Sequence, residues 1–241
     1  MSLTFQNDPT LQALEESVIS LGKEVTLDPQ RSALAIVDMQ VDYCAPTGQF
    51  AKQLNADVSP NQEIIDRLTQ FAARFRAAGS PVIFTRMIEI PELMPENLAR
   101  KILSYPNPLR LCDPKTDGFN YFGIHPVDGD YEIVKNTYNS FLSDASYQLL
   151  VNARIETARL EDIFQKHNTQ HLVWTGVLTA RCVQASLLGS VDRGYDNVLP
   201  FDLVSMPAGP LRVKHFSAIS EMDILFAEVT RSDKISFGQK R

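Results

Sequence analysis

Uninterrupted apolar runs alternate with stretches of helical periodicity along this chain. A short run that is apolar throughout is typical of a strand buried on both faces of a parallel sheet. Apolar positions three or four residues apart instead predict helices that pack on such a sheet. Strand, helix and strand in succession make a right-handed crossover, so the pattern predicts an α/β fold with a doubly wound, mostly parallel sheet and helices on both faces. The predicted strands are residues 33–38, 81–86, 131–135, 171–177 and 197–202, and the clearest predicted helices are residues 59–79, 179–194 and 216–229.

Two regions depart from this alternation. Residues 1–32 are polar and weakly patterned, with room for one short helix, so we expect an N-terminal extension followed by a single domain over residues 33–241. Residues 87–130 carry six prolines. A proline-rich segment of this length inside a domain is usually functional, and we expect it to form the wall or lid of a pocket, or else a contact between subunits.

Composition and charge narrow the classes of function. The net charge of −6 and the lack of a basic run argue against a nucleic acid or a membrane as partner. No apolar stretch approaches the ~20 residues of a membrane helix, and residues 1–8 lack the pattern of a secretory signal. Three cysteines, an odd number, favour free thiols in a reducing compartment. We therefore expect a cytoplasmic protein that acts on a small molecule, and because the four histidines form no recognisable ligand pair, no metal and no redox cofactor.

Three reactive side chains follow predicted strands. Asp38 ends the first strand, Lys135 ends the third, and Cys182 comes shortly after the strand at 171–177, near the start of a helix. The carboxyl ends of parallel strands share one edge of a sheet, so the three side chains can converge. The helix dipole at Cys182 favours a thiolate, Asp38 can take a thiol proton and return it to a leaving amine, and Lys135 can hold the thiolate. Each residue also has a plain alternative: a buried inert cysteine, a turn-forming aspartate and a solvated lysine.

Four separated blocks around these residues resemble one family, the isochorismatase-like cysteine hydrolases. They cover about residues 33–205 in the family's order, and the set of blocks, rather than any one of them, is specific. The blocks are residues 36–43, 78–86, 134–141 and 175–202, and the reactive residues lie in the first, third and fourth.

The resemblance implies a six-stranded parallel sheet and a catalytic triad of Asp38, Lys135 and Cys182. It also implies a cis peptide before Leu178, which aims the backbone N–H groups of Leu178 and Cys182 at the oxyanion of the reacting carbonyl. Members of the family usually form dimers or tetramers, so we expect a homodimer or a homotetramer.

Departures from the family's usual residues bear on the substrate. Leu178 and Ala180 stand in the turn where a small residue and an Asn are common, and Gly189 replaces a usual Asp. Nicotinamidase-type members carry an Asp-x-His metal site soon after the first block, whereas this chain has Asp57 there and no His, which disfavours a nicotinamidase. Siderophore-type isochorismatases, which cleave a vinyl ether, often have Gly at the position of Cys182, so this residue favours C–N hydrolysis. The length and the extension are similar to those of members that act on ureido compounds.

Four residues are candidates for the substrate pocket. Arg86 either binds a substrate carboxylate or pairs with a structural acid. Tyr138 is expected mainly to pack, and Arg181 is expected to point away along the helix. In falling order of support, the candidates are Phe50, Arg86, Tyr138 and Arg181.

These features together predict a cysteine amidohydrolase. It would cleave a C–N bond of a small amide or ureido compound through a thioester acyl-enzyme and release ammonia or an amine. Two alternatives stay open. In isochorismatase-type hydrolysis, Asp38 protonates a vinyl ether, pyruvate leaves and Cys182 is dispensable. A catalytically silent binding protein would use the same pocket without turnover.

Overall fold

The computed structural model of this protein describes residues 9–142, 156–157 and 159–238. Within these ranges no helix is both long enough and apolar enough to cross a membrane. The strands are β1 (Val25–Leu27), β2 (Ser32–Val37), β3 (Val82–Met87), β4 (Tyr131–Lys135), β5 (Glu156–Thr157), β6 (His171–Val177), β7 (Asp196–Pro200), β8 (Val204–Ser205), β9 (Glu228–Thr230) and β10 (Ile235–Phe237). The helices are α1 (Pro9–Ser20), α2 (Val41–Cys44), α3 (Gln49–Leu54), α4 (Ser59–Glu63), α5 (Ile65–Ala77), α6 (Glu96–Leu103), α7 (Leu160–Lys166), α8 (Gln184–Val191) and α9 (Leu211–Leu225).

One large sheet of parallel strands organises the fold. Its strands lie in the order β5-β4-β3-β2-β6-β7-β9, and β8 pairs with the last residues of β6. The chain first extends the sheet outward from β2 and then, on the other side, outward from β6. The carboxyl ends of the paired strands β2 and β6 therefore mark the switch point at which open α/β sheets bind their ligands. This architecture confirms the predicted doubly wound α/β fold.

Both faces of the sheet are covered by helices. Successive side chains of a strand point to opposite faces, and β2 divides its residues in this way. Leu34 and Ile36 pack in one core cluster with α5, whereas Ala33, Ala35 and Val37 pack in the other with α8 and α9. Every residue of β2 is buried, which explains why its sequence is apolar throughout instead of alternating.

The sheet holds more strands than the six that were predicted. Within the described ranges it has eight. Three of them, β5, β8 and β9, have only two or three residues and are too short to stand out as apolar runs. Val229, which was predicted to lie on the C-terminal helix, belongs to β9 because α9 already ends at Leu225.

Part of the predicted N-terminal extension packs on the rest of the protein. Strand β1 pairs in parallel with β10, and Lys234 Nζ donates a hydrogen bond to the Gly22 carbonyl at 2.7 Å. Helix α1 packs against α9. The boundary between residues 32 and 33 stays a prediction, but residues before it contribute a helix and a strand to the folded body.

Candidate active site

Asp38 occupies the switch point directly after β2, with its carboxylate fully buried. Its backbone has a φ of 49°, in the left-handed region. Thr85 of β3 bonds to both the backbone N–H and the carboxylate of Asp38. The Asp38 N–H donates to the carbonyl and to the hydroxyl oxygen of Thr85, each at 3.2 Å, and the Thr85 hydroxyl donates to Asp38 Oδ1 at 2.5 Å. Asp38 Oδ2 is left facing the neighbouring groups of the site.

Lys135 ends β4 and pairs with Asp38 in the protein interior. Its Nζ donates to Asp38 Oδ2 at 2.7 Å and to the Thr137 carbonyl at 3.3 Å, and it lies 3.5 Å from Met87 Sδ. Burial lowers the pKa of Lys135, but the charge of the neighbouring Asp38 acts against burial, and the pKa is raised overall. The ammonium group therefore stays charged at neutral pH. A solvated lysine, the plain alternative, does not match this position.

The turn after β6 brings Cys182 to the same edge. Gly176 has a φ of 94°, and a Cβ atom built on it would lie 2.2 Å from the Val37 carbonyl oxygen. Only glycine allows β6 to approach β2 this closely. The Val177–Leu178 peptide is cis, as the family resemblance implies. Residues Thr179–Val183 then form a π-helical turn, instead of the predicted first turn of an α-helix, before α8 begins.

This turn places Cys182 near Asp38 and Lys135. The Cys182 side chain is 3% exposed and lies close enough to Asp38 and Lys135 for the charges of both to act on the thiol. Burial, followed by the charge of Asp38, raises the pKa of the thiol well above its ordinary value, and Lys135 only partly opposes this. The favourable effect expected of the helix start therefore stays a prediction, and the net direction of the shift is upward. The group is therefore a thiol near the Asp38 carboxylate.

A buried carboxylate that the sequence reasoning missed, Glu89, lies next to these three residues. Tyr43 donates to Glu89 Oε2 at 2.7 Å, and Tyr138 donates to Glu89 Oε1 at 3.0 Å. Arg181 Nη1 lies 3.8 Å from Glu89 Oε1. Burial, followed by the charge of Glu89, raises the pKa of both tyrosines. A signal was present, because Glu89 comes two residues after β3 and so lies at the same edge of the sheet as Asp38.

Three of the four predicted pocket residues lie around Glu89. Tyr138 bonds to it instead of merely packing. Arg181 turns toward Glu89, with its guanidinium 5.9 Å from the centre of the Phe50 ring, and does not point away along the helix. Phe50 itself is buried beneath Arg181 and packs edge-on against Tyr43.

Arg86 lies apart from this group. It forms an ion pair with Glu132, and its guanidinium is 4.2 Å from the centre of the Phe119 ring and 5.0 Å from that of Tyr121. Both charged side chains are nearly buried. This geometry matches the structural-acid alternative and does not bring Arg86 to Cys182.

A cavity of about 900 Å³ adjoins the group around Glu89. Glu89, Tyr138 and Arg181 contribute to its lining, as do residues 101–102 and 105–109. The proline-rich region thus supplies a pocket wall, one of the two roles that were expected for it.

The oxyanion site at the turn after β6 stays a prediction. The N–H groups of Arg181 and Val183 donate to the Leu178 carbonyl at 3.0 and 3.4 Å. The N–H groups of Leu178 and Cys182 remain the ones predicted to receive the oxyanion. In the part of the chain that the structure describes, no group of three or more His, Cys, Asp and Glu side chains is placed to hold a metal ion.

Known proteins resemble this chain over most of its length. The family model of the isochorismatase domain matches residues 32–234. Ureidoacrylate amidohydrolase RutB of Klebsiella variicola (strain At-22) is 26% identical over an alignment 241 positions long that covers 89% of each chain. The structure of N-carbamoylsarcosine amidase from Thermoplasma acidophilum superposes with a TM-score of 0.62 at 22% identity and covers 84% of this chain and 97% of its own. An isochorismatase from Pseudomonas putida KT2440 superposes with a TM-score of 0.64 at 17% identity, over 88% of this chain and 94% of its own.

Proposed function

This chain belongs to the isochorismatase domain family, and we propose that it is a cysteine hydrolase that cleaves the C–N bond of an amide or ureido compound. The observation that carries the proposal is the buried ion pair of Asp38 and Lys135, whose charges both act on the nearby Cys182 thiol. Relatives named as amidohydrolase and amidase support the choice of a C–N bond. The intact thiol also supports it, because a cysteine beside a base and a cation is equipped for nucleophilic attack on a carbonyl.

The first step in this proposal is proton transfer from the Cys182 thiol to Asp38. Because the pKa of the thiol is raised, the thiolate forms only when Asp38 takes its proton as the substrate carbonyl arrives. Lys135 keeps its positive charge and stabilises the thiolate that results. The thiolate attacks the carbonyl carbon, and the N–H groups predicted at Leu178 and Cys182 receive the oxyanion.

The second step releases the amine. Asp38, now protonated, donates its proton to the leaving nitrogen as the C–N bond breaks. Ammonia or an amine departs and a thioester with Cys182 remains. Asp38 then takes a proton from a water molecule, whose oxygen attacks the thioester carbonyl. The acid product leaves, and the proton on Asp38 returns to the sulfur.

Replacement of the nucleophile tests this scheme. Cys182→Ala should lower ammonia release from amide and ureido substrates by at least about a thousandfold, because the covalent route is lost. Cys44→Ala is the matched control, since it removes another fully buried thiol and should leave turnover unchanged. Pyruvate release from a vinyl-ether substrate that persists in Cys182→Ala would support isochorismatase-type chemistry instead. Amide hydrolysis at the wild-type rate by Cys182→Ala would refute the proposal.

A further inference from the structure

The cavity of about 900 Å³ has a polar end, called here its inner end, next to Cys182. Glu89, Tyr138 and Arg181 meet there through a hydrogen bond and an ion pair. Arg181 directly precedes Cys182 in the chain, and the charge of Glu89 acts on the Cys182 thiol. The bond to be cleaved is therefore expected at this end, where Arg181 and Glu89 border Cys182.

The outer wall of the cavity is largely apolar. It is formed by the end of α6 and the residues that follow, which contribute Ile102, Tyr105 and Leu109, together with Leu54 at the end of α3. Tyr105 and Leu54 are 56% and 45% exposed. Large apolar side chains grouped at the mouth of a concave site are more informative than scattered ones, because such patches usually mark a binding surface.

The size of the cavity exceeds what a short ureido compound needs. About 900 Å³ lies near the upper end of the roughly 300–1,000 Å³ of pockets that enclose drug-sized ligands. A short-chain ureido acid would occupy the polar inner end and leave the apolar wall in contact with water.

We propose that the substrate carries a bulky apolar group, aryl or branched alkyl, on the side remote from the scissile bond, and that this group packs against Ile102, Tyr105 and Leu109. The inference rests on the proposed C–N hydrolysis for the placement of the reacting end. It adds a specificity wall that distinguishes this protein from a hydrolase of short ureido acids.

Binding by an inactive variant tests the wall separately from the chemistry. The probes are N-carbamoyl-glycine, N-carbamoyl-leucine and N-carbamoyl-phenylalanine, which share the ureido and carboxylate groups and differ in the apolar side chain. With Cys182→Ala protein, calorimetry should give a dissociation constant at least about tenfold lower for the phenylalanine compound than for the glycine compound, since each buried carbon group adds to affinity.

Two variants made in the same background locate the effect. Tyr105→Ala should reduce the affinity gap to below about threefold, because it removes the aromatic part of the wall. Leu103→Ala is the control: Leu103 is 58% exposed, close to the value for Tyr105, but does not line the cavity, so the gap should persist.

Equal affinities across the series, no measurable binding of any member, or a gap that Tyr105→Ala leaves unchanged would each overturn the inference. Turnover by the wild-type protein is scored separately as ammonia release. A series that binds in the expected order but is never hydrolysed would count against the proposed function and leave the wall supported.

Discussion

Thr85 reaches Asp38 through both its backbone carbonyl and its hydroxyl, so one residue fixes the position of the proposed base. The hydroxyl accepts the Asp38 N–H and donates to Oδ1, and Oδ2 is thereby directed to Lys135. Thr85 is a positioning residue, because it acts on the reaction through Asp38 and does not touch Cys182 in the contacts described above.

Thr85→Val should slow the reaction without weakening substrate binding. The shape is kept but Asp38 loses a donor, so kcat should fall by about ten- to a hundredfold, part of the ~10²–10⁴-fold that a positioned acid–base group contributes, while KM stays near its wild-type value. The unpaired carboxylate oxygen should also cost about 1–3 kcal/mol of unfolding free energy. Steady-state kinetics and urea unfolding measure the two effects.

Thr69→Val is the control for this prediction. Thr69 lies exposed on α5, where its hydroxyl bonds to the Ile65 carbonyl, and its replacement should change neither kcat nor KM. A Thr85→Val protein with an unchanged kcat and a raised KM would show that Thr85 serves binding and not the position of the base.

The positions of site residues could be predicted from the sequence where the course of the backbone alone determines them. Asp38, Lys135 and Cys182 follow strand ends, and a parallel sheet brings strand ends together whatever the side chains do. The direction of Arg181 could not be predicted, because it depends on Glu89 and Phe50, which lie on other elements. The raised pKa of the Cys182 thiol could not be predicted for the same reason, because its causes are burial and the charge of Asp38 on another element.

Helix α8 packs closely against the segment that follows Lys135. A Cβ atom on Gly189 would lie 2.4 Å from Asn139 Nδ2, and Ser186 Oγ accepts the N–H of Ser140 at 3.0 Å. The glycine that departs from the family's usual Asp thus provides room for the Asn139 side chain. The amide is also tied down, since Asn139 Oδ1 accepts the N–H of Phe141 at 3.0 Å.

Gly189→Ala should destabilise the protein, although alanine is the better helix former. In an exposed helix this change would stabilise by about 1 kcal/mol, but here the added methyl group overpacks against Asn139 and should cost about 1–3 kcal/mol. Urea unfolding gives the sign directly. In an Asn139→Ala background, the same change should cost clearly less, because the clash is gone. A stabilised Gly189→Ala protein would contradict the packing described for α8.

Elements were predicted well where their own residues define them. The long strands appear within two residues of their predicted bounds, because their apolar runs match strands buried on both faces. The helix predicted over 59–79 is instead two helices that meet at Ile64. The strands β5, β8 and β9 exist only through pairing with their neighbours, and their two or three residues carry no pattern of their own.

His215 on α9 contacts the turn Thr179–Val183, which carries Cys182, and its protonation affects the stability of the whole molecule. His215 Nδ1 lies 2.9 Å from the hydroxyl of Thr179, the first residue of the turn. Burial, with a smaller contribution from the charge of Arg212, lowers the pKa of His215 to about 4. The imidazole is therefore neutral in the folded protein at any pH where the enzyme is expected to work.

Acid should destabilise the fold through His215. Below pH 6.5 the unfolded chain binds a proton on this histidine, while the folded protein does so only near pH 4, so the unfolded state gains protons and stability falls as the pH falls. Across this window the loss should reach up to about 3 kcal/mol. Urea unfolding at pH 7 and at pH 4.5 should show a smaller loss for His215→Asn than for the wild type.

His125→Asn is the comparison for the acid prediction. His125 is exposed on the loop before β4, so its replacement should leave the pH dependence of unfolding as it is in the wild type. An equal loss of stability in the wild type and in His215→Asn would mean that His215 does not supply the acid sensitivity.

The strand order also bears on how a ribosome delivers this protein. Strands β2, β3 and β4 are synthesised first and can pair on one side of β2. Strand β6, the partner of β2 on the other side, comes much later. For example, the Thr175 hydroxyl on β6 donates to the Ala35 carbonyl on β2, and 140 positions separate the two residues. Until β6 emerges, the nascent chain presents an open strand edge next to Asp38, and such an edge invites pairing with other chains. An open strand edge during synthesis is therefore an expected consequence of placing the candidate active site at the switch point.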